Sequence, residues 1–161
     1  MLILGLNAYH GDASACLVRD GVIVAAAEEE RFRRIKHWAG FPSEAARWCL
    51  ADAGASIADV AHLAINSDPR ANLVRRVGYA VLQRPDLGLI LDRVRNQKKR
   101  ASVTDELALA FPGQSFRGEV HRVEHHTAHL ASAFLVSPFK EAVTVSIDGF
   151  GDFSSAAWGV G

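Results

Sequence analysis

Two imidazoles and a carboxylate are the residues of this chain best placed to do chemistry. The run Glu124-His125-His126-Thr127-Ala128-His129 spaces His125 and His129 four apart, which sets both rings on one face of a helix. The segment Asp148-Gly149-Phe150-Gly151-Asp152 follows one apolar run later, and a carboxylate at that strand end could reach the same point. Neutral imidazole and carboxylate suit a divalent metal such as zinc or ferrous iron, and three protein ligands leave a position for a substrate oxygen. His-x-x-x-His alone is equally the spacing of packing or surface histidines. Asp148 in a glycine-rich strand end is what makes His125, His129 and Asp148 a candidate metal site.

The elements that must position these groups can be read from periodicity and turn chemistry. Leu2 to Leu6 reads as a buried strand, the polar loop from Asn7 to Asp12 follows, and Ala13 to Val18 is a second apolar run. Asp20-Gly21 between two apolar runs predicts a hairpin, with Val22 to Ala27 returning antiparallel. Pro42-Ser43 is expected to start a helix capped by the serine hydroxyl, with Ala45, Ala46, Cys49 and Ala53 on one face and Gly54 at its end. Val60 to Ile65 is a further strand, so the pattern predicts a mixed sheet with a crossover helix. Helical texture fills 68–113, as segments at 72–84, 86–100 and 104–111, and reads as an insertion or lid. Arg93, Arg95, Lys98, Lys99 and Arg100 crowd one helix end there, as a solvated face or a phosphate-binding patch. Strand 120–123, helix 126–136, strand 142–147 and strand 155–160 complete the chain.

Bulk properties narrow the function classes. A chain of 161 residues that is 49% hydrophobic can bury a real core. Lys+Arg and Asp+Glu both number 18, so no global field argues for nucleic acid or a membrane surface as partner. Cys16 and Cys49 stand apart from any C-x-x-C spacing and read as small buried hydrophobes of a reducing compartment. The opening Met1 to Leu6 has no basic flank and is too short for a signal or spanning segment, so a cytoplasmic protein is expected.

Two turns look alike. Leu4-Gly5-Leu6-Asn7 leading to Gly11-Asp12-Ala13-Ser14, and Val145-Ser146-Ile147-Asp148 leading to Gly151-Asp152-Phe153-Ser154, each join apolar runs through a glycine-containing polar loop and a Gly-Asp-x-Ser step. Such loops bring backbone N–H groups close to phosphate oxygens. Ordinary hairpin turns carry the same residues.

Four blocks in this order resemble the actin/Hsp70/sugar-kinase fold, and more closely the carbamoyltransferase family of nodulation and antibiotic-tailoring biosynthesis. They are Leu4 to Ala15, Ala26 to His37 (AAEEERFRRIKH), His125 to Phe134 (HHTAHLASAF) and Asp148 to Asp152. The resemblance implies an α/β, ribonuclease H-like first subdomain with a mixed sheet over 1–147, carrying the 68–113 insertion. The opening hairpin of a second subdomain would then occupy 148–161. It also implies a two-part enzyme. A C-terminal domain similar to YrdC makes carbamoyl-adenylate from carbamoyl phosphate and ATP. An N-terminal domain similar to the tRNA threonylcarbamoyl-transfer proteins holds that intermediate at a metal and passes the carbamoyl group to a small-molecule hydroxyl.

Carried over, His125, His129 and Asp148 would be metal ligands, with a fourth, an aspartate, expected beyond Gly161. His10 in the first loop could take the acceptor's proton, since an imidazole titrates near neutral pH, or it is a loop histidine held by backbone. Lys36 and His37 could hold carbamoyl or phosphate oxygens, or line a solvated loop. Asp12, Ser14, Gly149, Gly151, Asp152 and Ser154 are the phosphate-loop candidates. Glu28, Glu29 and Glu30 are expected to alternate out of the third strand. The resulting expectation is the N-terminal portion of an O-carbamoyltransferase, inactive without its missing C-terminal half and prone to self-association through the apolar residues of its last hairpin. The alternatives are a non-catalytic nucleotide- or metal-binding module of the same fold and a sugar-kinase-like phosphotransferase. The histidine pair weighs against the latter, which recruits magnesium through carboxylate and phosphate.

Overall fold

A computed structural model of the chain describes residues 1–68, 71–74, 78, 82 and 102–161. The segments expected as helices at 72–84 and 86–100, and the basic group from Arg93 to Arg100, lie wholly or largely outside the described residues. Contacts divide the chain into two units, described separately below.

The first unit holds Met1–Ile65 and the described residues from Ser102 to Arg122. Strands β1 (Leu2–Asn7), β2 (Ser14–Arg19) and β3 (Val22–Glu28) form the expected meander. Asp20 and Gly21, at φ 50° and 84°, make the two-residue turn between β2 and β3, both in the left-handed region that such hairpins require. β4 (Val60–Ile65) lies parallel to β1, and β5 (Glu119–Arg122) parallel to β4, giving a five-stranded sheet of order β3-β2-β1-β4-β5. Only β2 runs against the rest. This is the mixed α/β sheet expected from the sequence.

Helix α2 (Ser43–Asp52) buries Ala45, Ala46, Cys49 and Leu50 against the sheet residues Leu4, Leu17, Leu63 and Ile65. Each fully buried leucine or isoleucine there contributes about 1.5–3 kcal/mol. Helix α3 (Val103–Ala110) adds Val103, Leu107 and Ala110 to the same core. The end of the stretch read as an insertion is therefore part of the first unit's interior. Its cap, which the sequence reading did not identify, is a reciprocal Ser102–Asp105 box.

Two expectations are corrected here. α2 is not capped by the Ser43 hydroxyl, which instead accepts from Arg33. The cap is the carboxylate of Glu29, which accepts from the N–H groups of Glu44 (3.2 Å) and Ala45 (2.8 Å). Nor do three glutamates alternate along β3. The strand ends at Glu28, and Glu29 opens the short helix α1 (Glu30–Arg33) with its side chain fully buried and paired to Arg33 Nε at 2.7 Å. Because the Glu29 carboxylate is fully buried, it relies on Arg33 and the two α2 N–H groups for its partners.

The second unit contains helix α4 (His125–Phe134) packed on a two-stranded ribbon of β6 (Val143–Gly151) and β7 (Ser154–Val160). Direct cross-strand pairing sets Val143 opposite Val160 and Val145 opposite Trp158. With Ile147, these residues form one apolar face that is exposed, as expected of the last hairpin's apolar residues, while Phe153 in its turn is half-buried. The opposite face carries Ser146, buried, and Gly159, which lies against Leu130 of α4. Cys16 and Cys49 are both free thiols, and burial pushes Cys49 up to about 11, so it packs as an unreactive hydrophobe. Among the described residues no helix is long and apolar enough to cross a membrane.

Candidate metal centre and loop sites

Helix α4 begins one residue earlier than the sequence pattern suggested, with Glu124 as its cap. The Glu124 carboxylate accepts from the Thr127 N–H at 2.7 Å and from the Thr127 hydroxyl at 2.9 Å. Burial acts to raise this carboxyl, yet the N–H groups of Thr127 and His126 hold it below its ordinary range. With the helix started there, His125 and His129 sit one turn apart with ring centroids 4.6 Å from each other. His126, almost fully buried, turns to the ribbon and hydrogen-bonds Ser146 through Nδ1 at 2.9 Å. Ser146 and Asp148 are two apart on β6 and so share a face, and the His126–Ser146 bond brings that face to the helix.

Asp148 does not end its strand. β6 continues to Gly151, and four residue steps on β6 (147 to 151) oppose two on β7 (156 to 154). This bulge at Asp148 is the kind of irregularity that re-aims a side chain. The result is convergence. Asp148 Oδ2 lies 2.6 Å from His125 Nε2 and 3.3 Å from His129 Nε2, and the two imidazole nitrogens are 3.1 Å apart. The hydrogen bond from His125 and then the Gly149 N–H hold the Asp148 carboxyl down at about 2. His125 is buried whereas His129 and Asp148 are partly exposed, which leaves one side open to an exogenous ligand.

These atoms fit a divalent metal. In their ligating forms all three present lone pairs, so bringing them this close is favourable only around a proton or a cation. A tetrahedral ion bound at about 2.0–2.1 Å sets its donors about 3.3 Å apart, close to two of the three separations seen.

The remaining glycine and aspartate of the second loop are supports for this centre. A Cβ on Gly151 would fall 2.1 Å from Cδ2 of His125, so only glycine lets the imidazole lie against the strand. Asp152 and Phe153, at φ 44° and 67°, form the two-residue β6–β7 turn. The Asp152 carboxylate accepts from the N–H groups of His125 (3.0 Å) and Asp68 (2.8 Å). Ser154 donates to the carbonyl of Ala156. Ser154 thus makes a local turn contact, whereas Asp152 ties the turn to the start of α4 and to Asp68. Gly149, with open space where a Cβ would stand, gives its N–H to Asp148. The roles of His126 and Gly151 were not read from the sequence. The only sequence signal for either was position: a second histidine inside the helical run, and a glycine three residues past the aspartate.

In the first unit the loop from Asn7 to Ala13 is held by Asn7 Nδ2, which donates to the carbonyl of Asp12 at 2.9 Å. It lies along the segment after α1, with the Tyr9 N–H bonded to the Gly40 carbonyl and the Ala13 N–H to that of Trp38. This pairing brings Asp12 to His37, whose Nδ1 is 2.8 Å from Asp12 Oδ1. The hydrogen bond and charge of Asp12 raise the His37 pKa. Lys36 is exposed beside it, and His10 is half-buried in the first loop. Ser14 opens onto a shallow cleft of about 660 Å³ lined also by Cys16, Ala27, Glu28, Arg31, Phe32 and Trp48.

The chain is 36% identical to the uncharacterized protein sll1178 of Synechocystis sp. over 163 residues, covering 96% of this chain and 26% of that protein. It is 33% identical to the nodulation protein NolNO of Sinorhizobium fredii over 158 residues, covering 96% and 22%. The chain therefore spans about a quarter of the length of these relatives. The solved structure of YeaZ from Pseudomonas aeruginosa overlaps 92% of this chain and 57% of its own at TM-score 0.43 and 17% identity. A family model described as carbamoyltransferase N-terminus matches residues 2–160, essentially the whole chain, and the chain belongs to that family.

Proposed function

We propose that this chain supplies the carbamoyl-accepting and transferring part of an O-carbamoyltransferase, binding carbamoyl-adenylate at a divalent metal held by His125, His129 and Asp148. The observation that carries the reading is the convergence of two Nε2 atoms and one carboxylate oxygen in a chain of this family. Bound there, zinc or ferrous iron supplies Lewis-acid neutralisation of phosphate charge as the adenylate leaves. The Gly149 N–H and His125 keep Asp148 ionised throughout the working pH range. Gly151 and Ser146 fix the imidazoles, Gly151 by its closeness to His125 and Ser146 through His126.

In the first unit, Asp12 biases His37 toward its cationic form, which suits an anionic oxygen of phosphate or carbamoyl, and Lys36 beside it suits the same charge. His10 is the proton acceptor for the hydroxyl nucleophile. ATP and carbamoyl phosphate enter through a YrdC-like adenylate-forming domain, in the same or a separate chain, and the acceptor is a small hydroxyl compound.

The test is carbamoyl transfer from labelled carbamoyl phosphate and ATP, with the rest of the Sinorhizobium relative, beyond the segment this chain matches, supplied in trans. The wild-type chain should support transfer. Asp148→Asn should abolish it, and His10→Gln should lower the rate by roughly 10²–10⁴-fold with ligand binding retained. Transfer at an equal rate with Asp148→Asn would end the metal-centred reading.

A further inference from the structure

A second histidine–carboxylate group stands on the open sheet of the first unit. β5 pairs with β4 so that Glu119 lies directly beside His62 and His121 beside Ala64. Glu119 and His121 are two apart on β5 and therefore point to the same face, the one His62 presents from β4. The three side chains meet there. His62 Nδ1 is 2.9 Å from His121 Nε2, and Glu119 Oε2 is 3.8 Å from the first and 3.7 Å from the second. The rings are 5.0 Å apart at their centroids and inclined by 55°, so their nitrogens converge instead of stacking.

The backbone is built for this register. Gly118, immediately before β5, lies so close to β4 that a Cβ there would fall 2.3 Å from the Ala61 carbonyl oxygen and 2.6 Å from that of Val60. Only glycine allows the approach that seats Glu119 beside His62. The group is partly exposed, His62 least and Glu119 most, so water can complete a coordination shell.

We propose that His62, His121 and Glu119 form a second divalent-metal site, a clasp across β4 and β5, separate in sequence and fold from the centre on α4. Two neutral imidazole nitrogens and one carboxylate oxygen make an N,N,O set that selects zinc, or cobalt, nickel or copper in its place, over magnesium or calcium. The three separations, 2.9, 3.7 and 3.8 Å, bracket the donor spacing of about 3.3 Å around such an ion. Because the ligands come from two strands paired only in the folded chain, an ion bound there holds β5 to the sheet, and its binding free energy adds to the stability of that pairing.

The test uses the 161-residue chain with zinc alone as the probe. In a His125→Ala/His129→Ala variant, which disables the centre on α4, calorimetric titration should still find about one zinc equivalent. Adding His62→Ala/His121→Ala should weaken that binding by roughly tenfold or more. Unchanged stoichiometry and affinity would overturn the proposal. Should the quadruple variant fail to fold, copper added to the His125→Ala/His129→Ala chain reads the same question by NMR. Broadening of the amides of Ala61 to Leu63 and Val120 to Arg122 supports the clasp, and sharp signals there at full loading would overturn it.

Discussion

His125 and His129 owe their proximity to one turn of α4, whereas His62 and His121 come from different strands and meet only because β5 takes one register against β4. Both groups add one carboxylate, and both use a glycine as the point of close approach. Gly151 makes room for a ligand's ring, and Gly118 makes room for a whole strand. Local spacing thus creates the first group and tertiary pairing the second. The first is also buttressed, by Ser146 through His126, by Asp152 on the His125 N–H and by Gly149 on Asp148, while its counterpart on the sheet lies at a partly exposed surface.

The two glycines offer the sharpest way to break this comparison. Gly118→Ala drives a methyl into two backbone carbonyls that cannot turn aside. It should cost about 1–3 kcal/mol of stability and remove zinc binding at His62 and His121, with the α4 centre unaffected. Gly151→Ala meets the His125 ring instead. It should lower metal affinity at α4 by roughly 10–100-fold and leave the β4–β5 group intact. Denaturant midpoints and zinc titrations of the two variants check the pattern, and loss of both sites in either variant would mean that the groups are not independent.

A smaller effect comes from His37, whose imidazole is paired to the Asp12 carboxylate. Folding raises the His37 pKa through Asp12, so the contribution of the pair is full below the ordinary imidazole value of 6.5 and is lost as pH rises through the raised one. An NMR titration of the His37 ring should therefore show a midpoint above 6.5, and Asp12→Asn should return it toward that value. A midpoint that ignores Asp12 would remove the basis for treating His37 as a cationic ligand of phosphate.

What could be read in the sequence follows the same division. The meander, the Asp20-Gly21 hairpin, the β4 crossover strand and the His125/His129 spacing depend on residues close in the chain, and period and turn chemistry report them. Glu29 illustrates what could not be read. Its neighbours Glu28 and Glu30 mark a charged strand end, and nothing local shows that a helix 14 residues further on takes its carboxylate as cap. The cluster of His62, Glu119 and His121 was invisible for the same reason, since it depends on a parallel register between strands more than 50 residues apart. Asp148 was placed near the correct point but by a different route, because β6 carries it on a bulge and not at its end.

The central claim is that His125, His129 and Asp148 hold a divalent metal, and metal content measures it most directly. Zinc or ferrous iron should be quantified in chains whose β4–β5 group has been disabled by His62→Ala/His121→Ala, so that only the centre on α4 contributes. Single variants His125→Ala, His129→Ala and Asp148→Asn in that background should each bind roughly tenfold or more weakly than the parent. Equal metal content and affinity in the parent and in all three variants would contradict the account.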